Sequence, residues 1–224
     1  MHGLNTYDYG ARQYNPVTAR WDRMDPLCEK YYGMSPYAYC ANNPINAFDP
    51  DGKLIVFEKD ASLMFKLSFL ITVSILKKID CDKEYNILMN APEIYTIHES
   101  SEVSNWFDPV SLKIGWNPNM GLATNLGNFL SPLTRLNHEF AHAVHFHENQ
   151  EQFFEMKKGY SPDNPDYDYS NPEDKEVINN TERKTAAAMG EIEKDEYTRE
   201  DHGGRSIRVA FPFSNKSLEP VDNF

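Results

Sequence analysis

Apolar residues recur along this chain with two different periods, and a stretch at either end follows neither. Between Ala61 and Lys78 the residues Leu63, Phe65, Leu67, Phe69, Leu70, Val73 and Leu76, with Ile79 just beyond, are dense enough for a largely buried helix. Lys77 and Lys78 fall where they complement the negative end of its dipole. Leu54 to Phe57, Glu93 to Glu99 and Leu112 to Trp116 read as short strands. A second helix is predicted from Ser131-Pro132, a capping hydroxyl followed by proline where the missing N–H costs nothing. Leu133, Leu136, Phe140, Ala143 and Val144 then recur at three- and four-residue steps as one apolar stripe. A third helical register opens at Ser170-Asn171-Pro172-Glu173, runs through Ile178, Ala186 and Met189, and meets a stop signal at Gly190. The tail from Gly203 has no period, although Ile207 to Phe213 could pair as a final edge strand.

Residues 1–53 are of another kind. Tyr7, Tyr9, Tyr14, Tyr31, Tyr32, Tyr37 and Tyr39 are broken up by Asn15-Pro16, Asp25-Pro26, Asn43-Pro44 and Asp49-Pro50-Asp51-Gly52. Aromatic runs interrupted by such turn formers predict short strands and tight loops. With so few aliphatic residues this segment buries little core alone.

Charge and composition narrow the function. A net charge of −12 over 224 residues argues against nucleic acid and anionic membranes as partners, because both need a basic surface. The most apolar stretch, Leu63 to Ile79, is interrupted by Lys66, Ser68, Thr72 and Ser74 and is too short for a membrane span. Residues 1–20 contain no apolar core of a signal peptide. Cys28, Cys40 and Cys81 form no CxxC pair and no disulfide framework; a Cys28–Cys40 bond is open but not implied.

The chemistry sits in His138-Glu139-Phe140-Ala141-His142. Two histidines four apart on a helix present two imidazoles from one face, which suits two corners of a zinc tetrahedron. The glutamate between them can hold the attacking water. His145 shares that face, but it is two turns from His138, about 10 Å along the axis, and is expected at the cleft mouth. The third ligand must come from downstream. Glu182 lies four residues from Ile178 and from Ala186, hence on the stripe that faces the core. No lysine or arginine shares that stripe, and a buried carboxylate needs a cation, which zinc would supply. Glu173 is the competing ligand, with the simpler role of an acid in a first helical turn. Tyr197, Arg199 and His202 are candidates to stabilise a developing oxyanion. Lys113-Ile114-Gly115-Trp116 is the candidate edge strand for extended substrate. His98 is expected to be a strand histidine without a ligand role.

Two resemblances go further. Tyr7-Asp8-Tyr9-Gly10-Ala11-Arg12-Gln13-Tyr14, Arg20-Trp21, Asp25-Pro26-Leu27, Ser35-Pro36-Tyr37, Asn42-Asn43-Pro44-Ile45 and Asp49-Pro50-Asp51-Gly52 resemble the RHS repeat-associated core. That module ends a β-cage around a polymorphic C-terminal toxin, and by resemblance Asp25 and Asp49 are implied in self-cleavage. Lys53 stands here where that family often has an apolar residue. Asn137-His138-Glu139, Glu173 to Ile178 with Glu182, Gly190-Glu191, Arg199 and His202-Gly203-Gly204 look like the effector metallopeptidases of bacterial pathogens. That resemblance implies a zinc protease delivered into other cells, with Glu182 as the downstream ligand. Arg183 departs from the Asn or Gln usual after that glutamate.

The expected architecture is α+β: an RHS core remnant over residues 1–53, β- and turn-rich, then a zincin-like metallopeptidase domain over 54–224 with a small sheet and the HExxH helix. The expected function is a gluzincin-like zinc endopeptidase, with Zn²⁺ on His138, His142 and Glu182 and with Glu139 as general base. As a polymorphic toxin it would leave a bacterial cell by a specialised secretion route, cleave a protein or peptide of a target cell and be matched by an immunity protein. The alternatives are an inactive zinc-stabilised binding domain and a truncated toxin cassette.

Overall fold

The computed structural model describes residues 6–8, 12–25, 28, 35–42, 47–48, 55–161 and 163–219. It is a mixed α+β structure in which the described strands fall into three small sheets. Strands β1 (Tyr7–Asp8), β2 (Gln13–Asn15) and β3 (Arg20–Trp21) form an antiparallel meander. Trp21 packs edge to face with Tyr14 and Tyr39 beside it, the two tyrosines are tilted on each other, and the Arg12 guanidinium lies 4.3 Å from the Trp21 ring centroid. This is the turn-rich aromatic unit expected of the N-terminal segment. Asp25 ion-pairs with buried Arg12 at 3.0 Å, and Asp49 lies outside the described residues. Among the described residues no disulfide joins Cys28, Cys40 and Cys81.

β4 (Ala47–Phe48) pairs across residue 53 with β5 (Ile55–Phe57) and so joins the second sheet. Helices α1 (Leu63–Lys78) and α2 (Lys83–Asn90) follow, then β6 (Thr96–Glu99), β7 (Trp106–Asp108) and β8 (Lys113–Trp116). The sheet order is β4-β5-β6-β8-β7, with β6 parallel to β5 and β8, and β7 antiparallel to β8. Lys113–Trp116 is therefore an interior strand, not the expected edge; β7 takes the edge. An interior place explains why Ile114 and Trp116 are wholly buried. Gly115 leaves room for the Trp106 indole, because a Cβ there would fall 2.2 Å from the ring.

The third sheet, β10-β9-β11, contains β9 (Met120–Ala123), β10 (Phe129–Leu130) and β11 (Arg205–Arg208). β11 realises the tail strand, earlier in the chain than Ile207 to Phe213. Helix α3 (Pro132–Glu148) carries the HExxH residues, capped by Ser131, whose hydroxyl accepts from Thr134 N. Leu133, Leu136, Phe140, Ala143 and Val144 pack into the main core with Phe65, Phe69 and Trp116, as the stripe requires. The Trp116 indole N–H donates to Pro132 O, tying β8 to the start of α3. α4 (Gln150–Met156) leads to Lys157; α5 (Pro172–Val177), a π-helical turn (Ile178–Glu182) and α6 (Arg183–Met189) run as one rod. Gly190 stops the rod in the left-handed conformation.

α1 departs from its expectation. Phe65, Phe69, Val73 and Leu76 are buried, but Leu63 and Leu67 face outward. Among the described residues no helix is long and apolar enough to cross a membrane.

Candidate metal centre

His138, Glu139 and His142 leave α3 on the side opposite its core stripe, yet all three are buried. The cover comes from the α5–α6 rod and from the loop that follows it. Asn137 fixes the helix against the rod, donating from Nδ2 to Thr185 Oγ1 and to Cys81 O. Glu191 ties down the other end, accepting from Ser131 N at 3.0 Å and from the Thr134 hydroxyl at 2.8 Å. Burial pushes its carboxyl up to about 7, against the lowering effect of those bonds.

The two imidazoles converge through Nε2, 2.9 Å apart. Nδ1 of His142 lies 2.6 Å from Glu173 Oε2, and a carboxylate only accepts, so that nitrogen carries the proton. Its Nε2 is then a lone pair facing His138. If His138 is protonated on Nε2, its Nδ1 lone pair meets Glu182 Oε2 at 2.9 Å, acceptor against acceptor. If it is protonated on Nδ1, two Nε2 lone pairs face each other. A doubly protonated ring would escape both conflicts, but burial, assisted by His142, drives its pKa down to about 3. His138 Nδ1 is in fact buried without a hydrogen bond of good geometry, since Glu182 is near but out of line. A cation between the two Nε2 atoms removes the conflict. The donor set fits a metal.

Asp174 offers the next oxygen. Its Oδ1 is 3.6 Å from His142 Nε2, 3.9 Å from His202 Nε2 and 2.8 Å from Lys157 Nζ; Asn171 holds Oδ2 at 2.5 Å. His142, Glu173 and Asp174 form a buried group able to hold a metal ion. Asp174 escaped the sequence argument because it occupies the first turn of a helix, where an acid needs no further reason. Only its adjacency to Glu173 at a buried helix start could have marked it.

Glu182 is buried and adjacent to the histidines, as its place on the stripe implied. It meets the other nitrogen, however, behind the His138 ring. Arg199 donates to both of its oxygens, at 3.0 and 2.5 Å, and the Thr198 hydroxyl donates to Oε1. Burial alone would raise its pKa, but Arg199 and His138 outweigh that and hold it well below the usual range. The cation that the stripe lacked is thus an arginine from the loop after α6. Glu173 is depressed likewise: burial opposes, but His142, His145 and Lys157 prevail. His145 binds Glu173 Oε1 at 2.8 Å and does not line the cleft mouth where it was expected. On β6, His98 contacts Glu58, the residue after β5.

A cleft of about 390 Å³ opens over these groups. One wall is the β7 edge with Asn105, Trp106 and Phe107, and the other is Gly203, Gly204 and Ser206 leading into β11, with Leu122 beside them. Glu139 lines the cleft, and burial raises its carboxyl, tempered by His142, Arg135 and Lys157. Arg135 Nη1 lies within hydrogen-bond distance of the carbonyls of Val103, Met120 and Gly121, which joins the helix to the segment before β7 and to β9. Of the three oxyanion candidates, His202 lines the cleft, its Nε2 3.9 Å from Asp174 Oδ1 and its ring 6.5 Å from that of His138. Arg199 lines it but is locked to Glu182, and Tyr197 is half exposed with Arg183 stacked on its ring.

No protein-family profile and no solved structure matches the chain. Over 50 residues it is 46% identical to Salivary gland surface protein 1 of Aedes aegypti, a match that covers 22% of the chain and 1% of that protein.

Proposed function

We propose that this chain is a zinc-dependent endopeptidase of zincin-like plan, with His138 Nε2, His142 Nε2 and Asp174 Oδ1 as protein ligands. This set keeps the HExxH pair and takes Asp174 in place of Glu182. The observation that carries it is the pair of buried Nε2 atoms 2.9 Å apart, with Asp174 Oδ1 3.6 Å from that of His142; the donor atoms that lie closest together are those of His142, Glu173 and Asp174, to which His138 is added through His142. Glu173 then serves as the partner that orients His142 from behind, and Glu182 the partner of His138, the usual carboxylate support of metal-bound imidazoles.

Zinc held there would act as a Lewis acid and bring the acidity of a water towards neutral pH. Glu139 takes the proton of that water as its oxygen bonds to the scissile carbonyl carbon. The same carboxyl passes the proton to the amine nitrogen as the C–N bond breaks. His202, across the cleft, is placed to donate to the developing oxyanion. The free edge of β7 can hold an extended substrate backbone by strand addition.

The resemblance of residues 3–53 to the RHS core supports a setting for the activity: a toxin at the end of its carrier, delivered from a bacterial cell against a protein of another, with an immunity partner. The test pairs metal analysis with hydrolysis of a denatured protein substrate. Glu139→Gln is expected to keep about one zinc per chain while losing roughly 10²- to 10⁴-fold in turnover. Full turnover in that variant would remove Glu139 from the chemistry. Bound zinc with no hydrolysis by the unaltered protein would favour a zinc-stabilised binding domain instead.

A further inference from the structure

α1 is apolar on two sides, and the core uses only one. On the outward side Leu63 and Met64 are 69% and 71% exposed, and Leu67 and Ile71 are 43% and 47% exposed. Ser74 and Lys78 continue the same exposed line. A helix that is apolar all round is ordinarily covered all round. None of these residues lines the catalytic cleft, so that site does not account for them.

Their spacing indicates what covers them. Met64, Leu67, Ile71, Ser74 and Lys78 follow alternating steps of three and four, the seam of two packed helices. An antiparallel copy with its two-fold axis at Ile71 makes the seam complementary to itself. Ile71 meets its own mate, bulky Leu67 lies over small Ser74, and Met64 meets the stem of Lys78. Charge favours the same arrangement. α1 contains Lys66, Lys77 and Lys78 and no acid, with exposed Asp80 just beyond its C-terminal end, whereas exposed Asp60 and half-buried Glu99 stand with exposed Lys59 at its N-terminal end, so the C-terminal end is net basic and the N-terminal end net acidic. Glu99 is fixed there, accepting from Ser62 N and Ser62 Oγ at 2.6 and 2.8 Å. Antiparallel packing brings the lysine end of each copy to the acidic end of the other, and parallel packing would stack like charges. The stripe offers on the order of 400–500 Å² per copy, so two copies remove roughly 800–1,000 Å², which at its upper end reaches the threshold for a specific interface.

We propose that the outer face of α1 is the interface of a two-fold homodimer, centred on Ile71. The partner is a second copy of this chain, and the net charge of −12 weighs against an anionic membrane in that place.

Sedimentation equilibrium of the whole chain over a micromolar concentration series should show a reversible dimer. Ile71→Lys sets two ammonium groups on the axis and should yield monomer at every concentration, with circular dichroism and hydrolysis unchanged. Ile71→Cys should oxidise to a covalent dimer. Ser74→Cys should not, because its mates are about 9 Å apart along the helix axes. Wild type under the same oxidation controls for Cys28, Cys40 and Cys81. A wild-type monomer throughout, a dimer that survives Ile71→Lys, or a monomer that floats with phosphatidylcholine vesicles would each overturn the proposal.

Discussion

A carboxylate can serve an imidazole from either side of the ring, and the two histidines of α3 show why that choice matters. Glu182 and Glu173 both sit beside Nδ1, Glu173 in hydrogen bond with His142 and Glu182 near His138 but out of line, while Asp174 sits on the Nε2 side of His142. The roles predict different losses. Asp174→Ala should abolish stoichiometric zinc binding, measured by mass spectrometry of dialysed protein with circular dichroism to verify the fold. Glu182→Gln should keep zinc but weaken it about 10- to 100-fold, the usual cost of losing such a support. Equal loss in both variants would return Glu182 to the ligand set. The sequence located Glu182 as buried and close to the histidines. It named zinc as the cation that neutralises it, where the fold supplies Arg199, because Arg199 comes from a loop that no helical period reaches.

At the level of elements, the caps were the most legible features. Ser131, Pro132, Asn171, Pro172 and Gly190 all act where a local rule places them, because capping depends on a few neighbouring residues. The π-helical turn was not legible. It widens the rod over Ile178–Glu182, and no residue spacing announces it. Strand order was equally hidden, since Lys113–Trp116 reads the same at an edge or inside. Two measurements probe these supports. Phe140→Ala should cost about 3–5 kcal/mol in denaturant unfolding, as a buried ring packed on Phe69 and Tyr85 is removed. Glu191 gives a pH signature. Its folded pKa of about 7 is above the ordinary 4.5, so the folded state binds more protons in that interval. Its contribution is complete below the ordinary value and declines as pH rises through about 7. Glu191→Gln should flatten that fall in a pH series of unfolding free energies, and an unchanged slope would exclude Glu191 as its source.

At the scale of the whole molecule, the centre joins parts distant along the chain: α3, the α5–α6 rod, the loop to β11 and the β7 edge. A metal bound where these meet must stabilise the assembly, because an unfolded chain does not hold the donors together. Removal of zinc with a chelator should lower the melting temperature by roughly 10 °C when the metal is present at about a thousand times its dissociation constant. Calorimetry with and without added zinc checks this, and an unchanged melting point would place the metal outside the folded core. The outer face of α1 belongs to this scale as well. Its apolar density read as burial within one chain, whereas the fold covers one side only.

What the sequence determined alone was local: the helix that carries His138, Glu139 and His142 on one face, its caps, its core stripe, the turn-rich aromatic start of the chain and the excess of acid. Helical period and capping act over a few residues, so they can be read in order. The tertiary structure decided which nitrogen each carboxylate meets, that Asp174 reaches the Nε2 side, that Arg199 neutralises Glu182 and that β7 borders the cleft. Those outcomes depend on directions and distances of a few ångströms between segments far apart in the chain, and no spacing rule contains them.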